Sequence, residues 1–274
     1  MKNLMTSNYS IAKKVFIDTI EIDDYIELSS SLTIYTQLEK IIDKPLKMIL
    51  LFGKPGTGKS ILLTRLQNNL KHQKEIHYFP TPATNEKEFY GIVFKILTQK
   101  DLPEDTEVNF SALIQFCESI LGKREIIMLL DEAQMYSPNI MEKIRLLSDT
   151  RVVKFVIALH KTEDEDLIAK EHFQTRIWES LELINATVDE QKVYIHKKLL
   201  KHNLFDVANS LDGKELKLVH KFTEGNYREC NKLLYTIFEI CEYYEEFEPQ
   251  NIDLNHISKK MIEMAGLKLG YIHA

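Results

Sequence analysis

Met48-Ile-Leu-Leu-Phe52 runs without a break into Gly53-Lys54-Pro55-Gly56-Thr57-Gly58-Lys59-Ser60, and Ile61, Leu62, Leu63 and Leu66 follow. The five apolar residues are too few for a membrane span and too uniformly apolar for a half-exposed strand, so they read as a buried strand. The next eight fit G-x-x-x-x-G-K-[ST], and the apolar residues beyond them fall at helical spacing. In strand–loop–helix order this is a phosphate cradle. Glycines let the backbone curl so that successive N–H groups point inward, and the helix N-terminus adds partial positive charge. In this reading Lys59 reaches the β- and γ-phosphates and Ser60 offers a hydroxyl to Mg²⁺. The candidate nucleotide contacts are Gly53, Pro55, Gly56, Thr57, Gly58, Lys59, Ser60 and Ile61.

A second stretch fits the same chemistry. Ile126-Ile-Met-Leu-Leu130 is another short apolar strand, and it ends in Asp131-Glu132-Ala133-Gln134. Acids at the carboxyl end of a parallel strand fall on the edge where open α/β sheets bind ligands. Asp131, with Ser60, is the candidate metal residue, and Glu132 the candidate base that orients and deprotonates a water. A second acid beside the first favours ATP hydrolysis over a GTP switch, and the guanine-reading Asn-Lys-x-Asp pattern is absent. The expected cofactors are ATP and Mg²⁺.

Working outward, strands alternate with helices. Glu75–Phe79, Val152–Ala158 and Leu181–Asn185 are further expected strands. Between them lie helical patterns, such as Phe89, Ile92, Val93, Ile96 and Leu97 on one face and Ser111–Leu121 beyond. The expected class is α/β, a parallel sheet with helices on both faces. After Thr187 only helical periods remain, over Val188–Lys201, Lys214–Phe222, Tyr227–Tyr243 and Leu254–Met264. The expected divisions are residues 1–30, packing on the core, then 31–187, the nucleotide-binding core, then 188–274, a helical lid.

Composition agrees with an ordinary globular protein: 44% of the 274 residues are hydrophobic and 28% charged. Lys+Arg 35 against Asp+Glu 41 gives a net charge of −6, which argues against a protein whose main work is coating nucleic acid. Cys117, Cys230 and Cys241 are odd in number and lack Cys-x-x-Cys spacing, so they read as reduced thiols. With no long apolar stretch and no signal-peptide pattern, the expected compartment is the cytoplasm. Lys197, Lys198, Lys201 and His202 read as a solvated helix face, and the acidic run Glu242–Glu248 as a frayed helix end.

The motifs Gly53–Ser60 and Leu129-Leu-Asp-Glu-Ala-Gln134, with the distal helices, resemble AAA+ ATPases of the ExeA/GspA type and their shorter MshM relatives of MSHA-pilus biogenesis. The resemblance runs from about Phe16 to Gly270 and implies a five-stranded P-loop sheet followed by a helical lid. It also implies three further roles. His160 stands where the family carries its polar sensor at the end of the fourth strand, although the family more often has Gly-Gln there and this chain has Leu159-His160. Phe173-Gln174-Thr175-Arg176-Ile177 resembles the family's Arg-Ile stretch and makes Arg176 the candidate arginine finger, serving a neighbouring subunit. Thr223-Glu224-Gly225-Asn226-Tyr227-Arg228 resembles the Gly-x-x-Arg of the lid, which gives Arg228 a γ-phosphate contact.

The expected function is therefore an AAA+ ATPase that works as a homo-oligomer and assembles or remodels a protein complex, with type IV pilus or type II secretion machinery as its client. ExeA-type proteins continue into a membrane span and a peptidoglycan-binding domain. Without these, recruitment to the inner membrane would go through a protein partner. Two rivals stand beside this reading. One is a DNA-directed AAA+ regulator of transposition or replication initiation, disfavoured by the acidic charge and by too few residues after Tyr243 for a winged helix. The other is a scaffold that binds ATP without hydrolysing it.

Overall fold

The computed structural model describes residues 7–103, 107–160, 175–211, 213–251, 253 and 256–273. It divides into two units, one of Thr33–Leu183 and one of Met1–Leu32 with Ile184–Ala274.

In the first unit, β1 (Met48–Gly53), β2 (Glu75–Phe79), β3 (Ile126–Leu130), β4 (Val153–His160) and β5 (Ile177–Leu183) form one sheet in the order β2-β3-β4-β1-β5. Every pairing is parallel. Such a sheet needs cover on both faces, and side-chain alternation divides its apolar residues between two cores. Met48, Met128, Leu130, Phe155 and Ile157 pack with α4 (Glu86–Thr98), α5 (Phe110–Ile120) and α6 (Pro138–Asp149). Ile49, Leu51, Ile127, Leu129, Val156 and Ala158 pack the other way, against α2 (Ser29–Ile42) and α3 (Lys59–Leu70). The expected α/β class and five-stranded sheet are both present. The last strand is Ile177–Leu183 rather than Leu181–Asn185, because its pairing with β1 starts at Met48↔Ile177 and finishes at Gly53↔Leu183. On this edge strand the residues up to Ser180 are half-exposed or exposed, which leaves no continuous apolar run to read.

The second unit is helical. It holds α1 (Asn8–Val15), α7 (Val188–Lys201), α8 (Phe205–Asn209), α9 (Gly213–Thr223), α10 (Tyr227–Phe247) and α11 (Lys259–Leu269). Residues 7–32 of the N-terminal segment cluster with these helices. Tyr9, Ala12, Val15 and Phe16 make a short apolar strip, with ring centroids of Tyr9 and Phe16 6.2 and 5.7 Å from that of Phe238 on α10. Ion pairing of Lys13 with Glu242 and a hydrogen bond from Ser7 to Glu245 bind the same two helices. These acids are why the run that reads as a frayed end is ordered helix through Phe247. On the basic face of α7, Lys198 alone departs from expectation. Lys198 is 5% exposed with its ammonium 5.2 Å from the Phe16 ring centre, and burial lowers its pKa. Lys197, Lys201 and His202 are exposed as a solvated face requires, with Lys197 donating to the Glu27 carbonyl and His202 pairing with Asp24. The helix expected over Leu254–Met264 is α11, five residues later at its end; Leu254 lies outside the described residues. Among the described residues no helix is long and apolar enough to cross a membrane.

Candidate functional site

The carboxyl ends of β1, β3 and β4 lie side by side, and the candidate loop grows from the first of them. Gly53 ends β1, paired with His160 of β4 on one side and Leu183 of β5 on the other. A Cβ at Gly53 would stand 2.2 Å from the Leu183 carbonyl oxygen, so no other residue fits there without moving β5. Pro55, Gly56 and Thr57 make the turn, and Thr57, almost fully buried, donates its hydroxyl to the Lys54 carbonyl at 2.9 Å. Gly58, at φ +96°, sets the left-handed entry to α3. It offers no side chain to the first N–H groups of the helix, whereas Asn85, Asn109 and Ser137 cap α4, α5 and α6. Those N–H groups and the positive end of the helix are thus left for an acceptor from elsewhere. Lys59 is 4% exposed and folds its ammonium back onto the Gly53 and Lys54 carbonyls at 2.8 and 3.0 Å. Ser60 and Ile61 follow in the first turn, both half-buried.

Asp131 continues the ladder past β3, its N–H donating to the Phe79 carbonyl at 3.0 Å. Its side chain is 2% exposed as part of the residue. One carboxylate oxygen accepts from the Glu132 N–H at 2.9 Å and the other from the Tyr78 hydroxyl at 3.0 Å. Both donors are neutral, and no ammonium or guanidinium among the described residues pairs with it. A buried carboxylate without a cation is costly unless something else supplies the charge. The partner hydroxyl responds in turn: burial first, and the Asp131 charge second, push the Tyr78 phenol well above its ordinary range.

Glu132 takes φ +50°, a strained conformation for a residue with a side chain. His160 and Gln134 hold its carboxylate. The His160 backbone N–H donates to Gln134 Oε1 at 3.3 Å, which turns the amide nitrogen toward Glu132 Oε2 and His160 Nδ1 (3.4 Å for the latter). With Nδ1 accepting from that amide, the ring proton on Nε2 faces Glu132 Oε1 at 3.2 Å. Each carboxylate oxygen therefore has its own donor.

The expected site residues thus fall into three places. Gly53 to Ile61, Asp131, Glu132 and His160 share the carboxyl edge of the sheet. Arg176 lies at the opposite edge, just before β5, bidentate on Asp149 with Nε and Nη2 at 3.0–3.1 Å. Phe173 and Gln174 of its motif lie outside the described residues. Arg228 belongs to the helical unit, in the first turn of α10, where its half-exposed side chain donates to Asp18 at 3.0 Å. Gln134 and Tyr78 are the contacts that sequence reading missed. Gln134 was inside the quoted motif but only the fold of β4 brings His160 to it, and nothing in Glu75–Phe79 singles out Tyr78.

Residues 42–166, a little under half of the chain, match the family model described as an AAA domain. With the β2-β3-β4-β1-β5 sheet and the helices that follow, the chain has the P-loop AAA+ fold. The Cdc6p protein of Pyrobaculum aerophilum is similar, with TM-score 0.67, 17% identity, and coverage of 93% of this chain and 70% of that one. The ORC1 protein of Aeropyrum pernix, solved in complex with DNA, gives TM-score 0.60 at 14% identity over 94% and 69%. Domain III of the replication initiation protein DnaA from Thermotoga maritima gives 0.51 at 17% over 89% and 97%. At these identities the likeness is one of fold. No curated protein matches by sequence.

Proposed function

We propose that the chain binds and hydrolyses ATP with Mg²⁺ at the carboxyl edge of its sheet. The observation that carries this reading is the buried Asp131, held by neutral donors alone, on the same edge as an uncapped, glycine-entered helix bearing Lys59. The loop N–H groups and the start of α3 take the phosphates, and Lys59 leaves its two carbonyl partners for the β- and γ-oxygens. Ser60 and Asp131 are the residues that would hold Mg²⁺. Among the described residues no group of three or more His, Cys, Asp or Glu could hold a metal without help. That suits an ion that binds through one or two protein ligands plus substrate phosphates. Bound there, it would neutralise phosphate charge and the charge of Asp131 together. Glu132 orients the attacking water and accepts its proton, while His160 and Gln134 fix the direction of its carboxylate.

Arg228 is proposed to reach the γ-phosphate from the helical unit, in exchange for Asp18. Service of Arg176 in a neighbouring subunit needs a similar exchange, because its guanidinium is committed to Asp149. Turnover would then require a homo-oligomer built by head-to-tail contacts. For the client, the motif resemblance supports a pilus or secretion complex. The likeness to replication initiators, one of them solved with DNA, favours a DNA-directed client as the second reading.

Turnover per subunit measured against protein concentration, with and without duplex DNA, tests these readings together. A rate that climbs with concentration and ignores DNA supports catalysis across subunits on a protein client. A flat rate raised by DNA removes the trans role of Arg176 and puts the DNA-directed reading first. No turnover at any concentration, with ATP still bound, leaves the scaffold.

A further inference from the structure

We propose that Tyr78 is a positioning residue that aims the Asp131 carboxylate for Mg²⁺. The inference rests on the assignment of Asp131 made above and deepens it. Backbone pairing places Tyr78 beside Leu129 and Phe79 beside Leu130, and the Asp131 N–H to Phe79 carbonyl bond extends that register by one residue. The backbone of Asp131 is thereby fixed, but its side chain is free to turn about two bonds unless something holds it. Tyr78 and the Glu132 N–H do so, one on each oxygen, at 3.0 and 2.9 Å. Two bonds at different oxygens define the carboxylate plane and leave each oxygen with lone pairs still open. Because both donors are neutral, they orient the charge without cancelling it. A lysine or arginine in the place of Tyr78 would also hold Asp131, but would compete with the metal.

Tyr78 is itself anchored. Its ring packs on the core formed by α2, α3 and β3, which limits its rotamers. The Thr64 hydroxyl lies near the phenol and gives its own proton to the Ser60 carbonyl at 2.8 Å. The phenol that holds Asp131 thus stands beside α3, the helix that carries Ser60 in its first turn. Outer contacts of this kind fix the geometry of metal ligands, and their loss typically costs about 10- to 100-fold in metal affinity.

Tyr78→Phe removes one oxygen and keeps the ring in the core. Affinity for a fluorescent non-hydrolysable ATP analogue is measured in EDTA and over a MgCl2 series, with Mn²⁺ bound to the nucleotide complex followed by electron paramagnetic resonance. The expected result is unchanged affinity in EDTA, a metal midpoint raised about 10-fold, and an altered Mn²⁺ signal. Tyr78→Leu, which also lacks the hydroxyl and remains apolar, should move the midpoint the same way and serves alone if Tyr78→Phe does not fold. Equal weakening with and without metal overturns the proposal, since a merely structural tyrosine would act on both. So does an unmoved midpoint when Asp131→Asn abolishes the metal dependence. If Asp131→Asn changes nothing, the fault lies in the assignment of Asp131, and the inference falls with it.

Discussion

The two edges of the sheet each carry a well-ordered aspartate, and they are furnished in opposite ways. At the carboxyl edge Asp131 is almost wholly buried and its two partners are a backbone N–H and a phenol. At the amino edge Asp149, the last residue of α6, is ringed by cations. Lys47 comes from the start of β1, Arg145 from one turn earlier in α6, and Arg176 from the start of β5. Burial alone would raise the Asp149 carboxyl, but hydrogen bonds from Arg176 and Lys47 outweigh it and hold its pKa below the ordinary range. The charge of Asp149 is already answered within the fold, so it ties α6, β1 and β5 together. The charge of Asp131 is oriented and left open, which is the condition of a ligand site. A deeply buried acid is by itself no sign of function; what faces it decides.

The largest effects should therefore come from the open edge. Glu132→Gln keeps the shape and hydrogen bonding of the residue but cannot take a proton, so turnover should fall about 10³-fold while ATP affinity holds. Single-turnover assays beside equilibrium binding separate the two, and unchanged turnover would move the chain to the scaffold reading. Lys59→Ala removes the ammonium that now rests on the Gly53 and Lys54 carbonyls. Its turnover should drop on the order of 10²-fold at saturating ATP, with weaker nucleotide binding as well. Retained affinity would mean that the loop N–H groups bind phosphate without the lysine.

How much of this contrast was legible beforehand depends on distance along the chain. The loop from Gly53 to Ser60 and the pair Asp131-Glu132 could be read because glycine positions and strand ends impose their geometry locally. Tyr78 is 53 positions from Asp131, and Arg176 is 27 from Asp149. Such pairs exist only once the strand order is known, and no spacing rule predicts which tyrosine faces which acid. The same reason hid α1, whose strip of Tyr9, Ala12 and Val15 is too short to show a period until Phe238 is beside it. It also explains the misreading of Lys198, since a lysine lying over Phe16 and one reaching solvent look alike in sequence.

The closed edge should answer in stability. Asp149→Ala leaves Lys47, Arg145 and Arg176 facing one another on a partly buried surface, and should cost about 2 kcal/mol, read by denaturant unfolding at neutral pH. Because the folded-state pKa of Asp149 is depressed, its contribution is complete above the ordinary carboxylate range. It is lost as pH falls through the depressed value. The stability gap between the parent chain and Asp149→Asn should accordingly be widest at neutral pH and close in acid. A gap that stays constant with pH would mean the substitution acts through packing. Turnover per folded molecule should survive Asp149→Asn if Arg176 serves a neighbour, and Arg176→Ala should then lose it.

The smallest expected change tests whether the open edge is tuned by more than its two acids. His160 lies 3.2 Å from one oxygen of Glu132 while Gln134 holds the other, and the imidazole in turn accepts from that amide. Removing the ring by His160→Ala takes away one hydrogen bond to a charged group, a loss of about 1.5 kcal/mol in orienting the base, which is roughly 10-fold in rate. That loss should fall on kcat and leave ATP affinity where it was, because the histidine acts on Glu132 and not on the nucleotide. His160→Asn retains a donor and should recover part of the rate. A drop in affinity at constant kcat would instead put His160 in direct contact with phosphate, as its position at the end of β4 beside Gly53 would allow. The open edge would then hold its nucleotide through three strands, and the role of orienting Glu132 would pass to Gln134 alone.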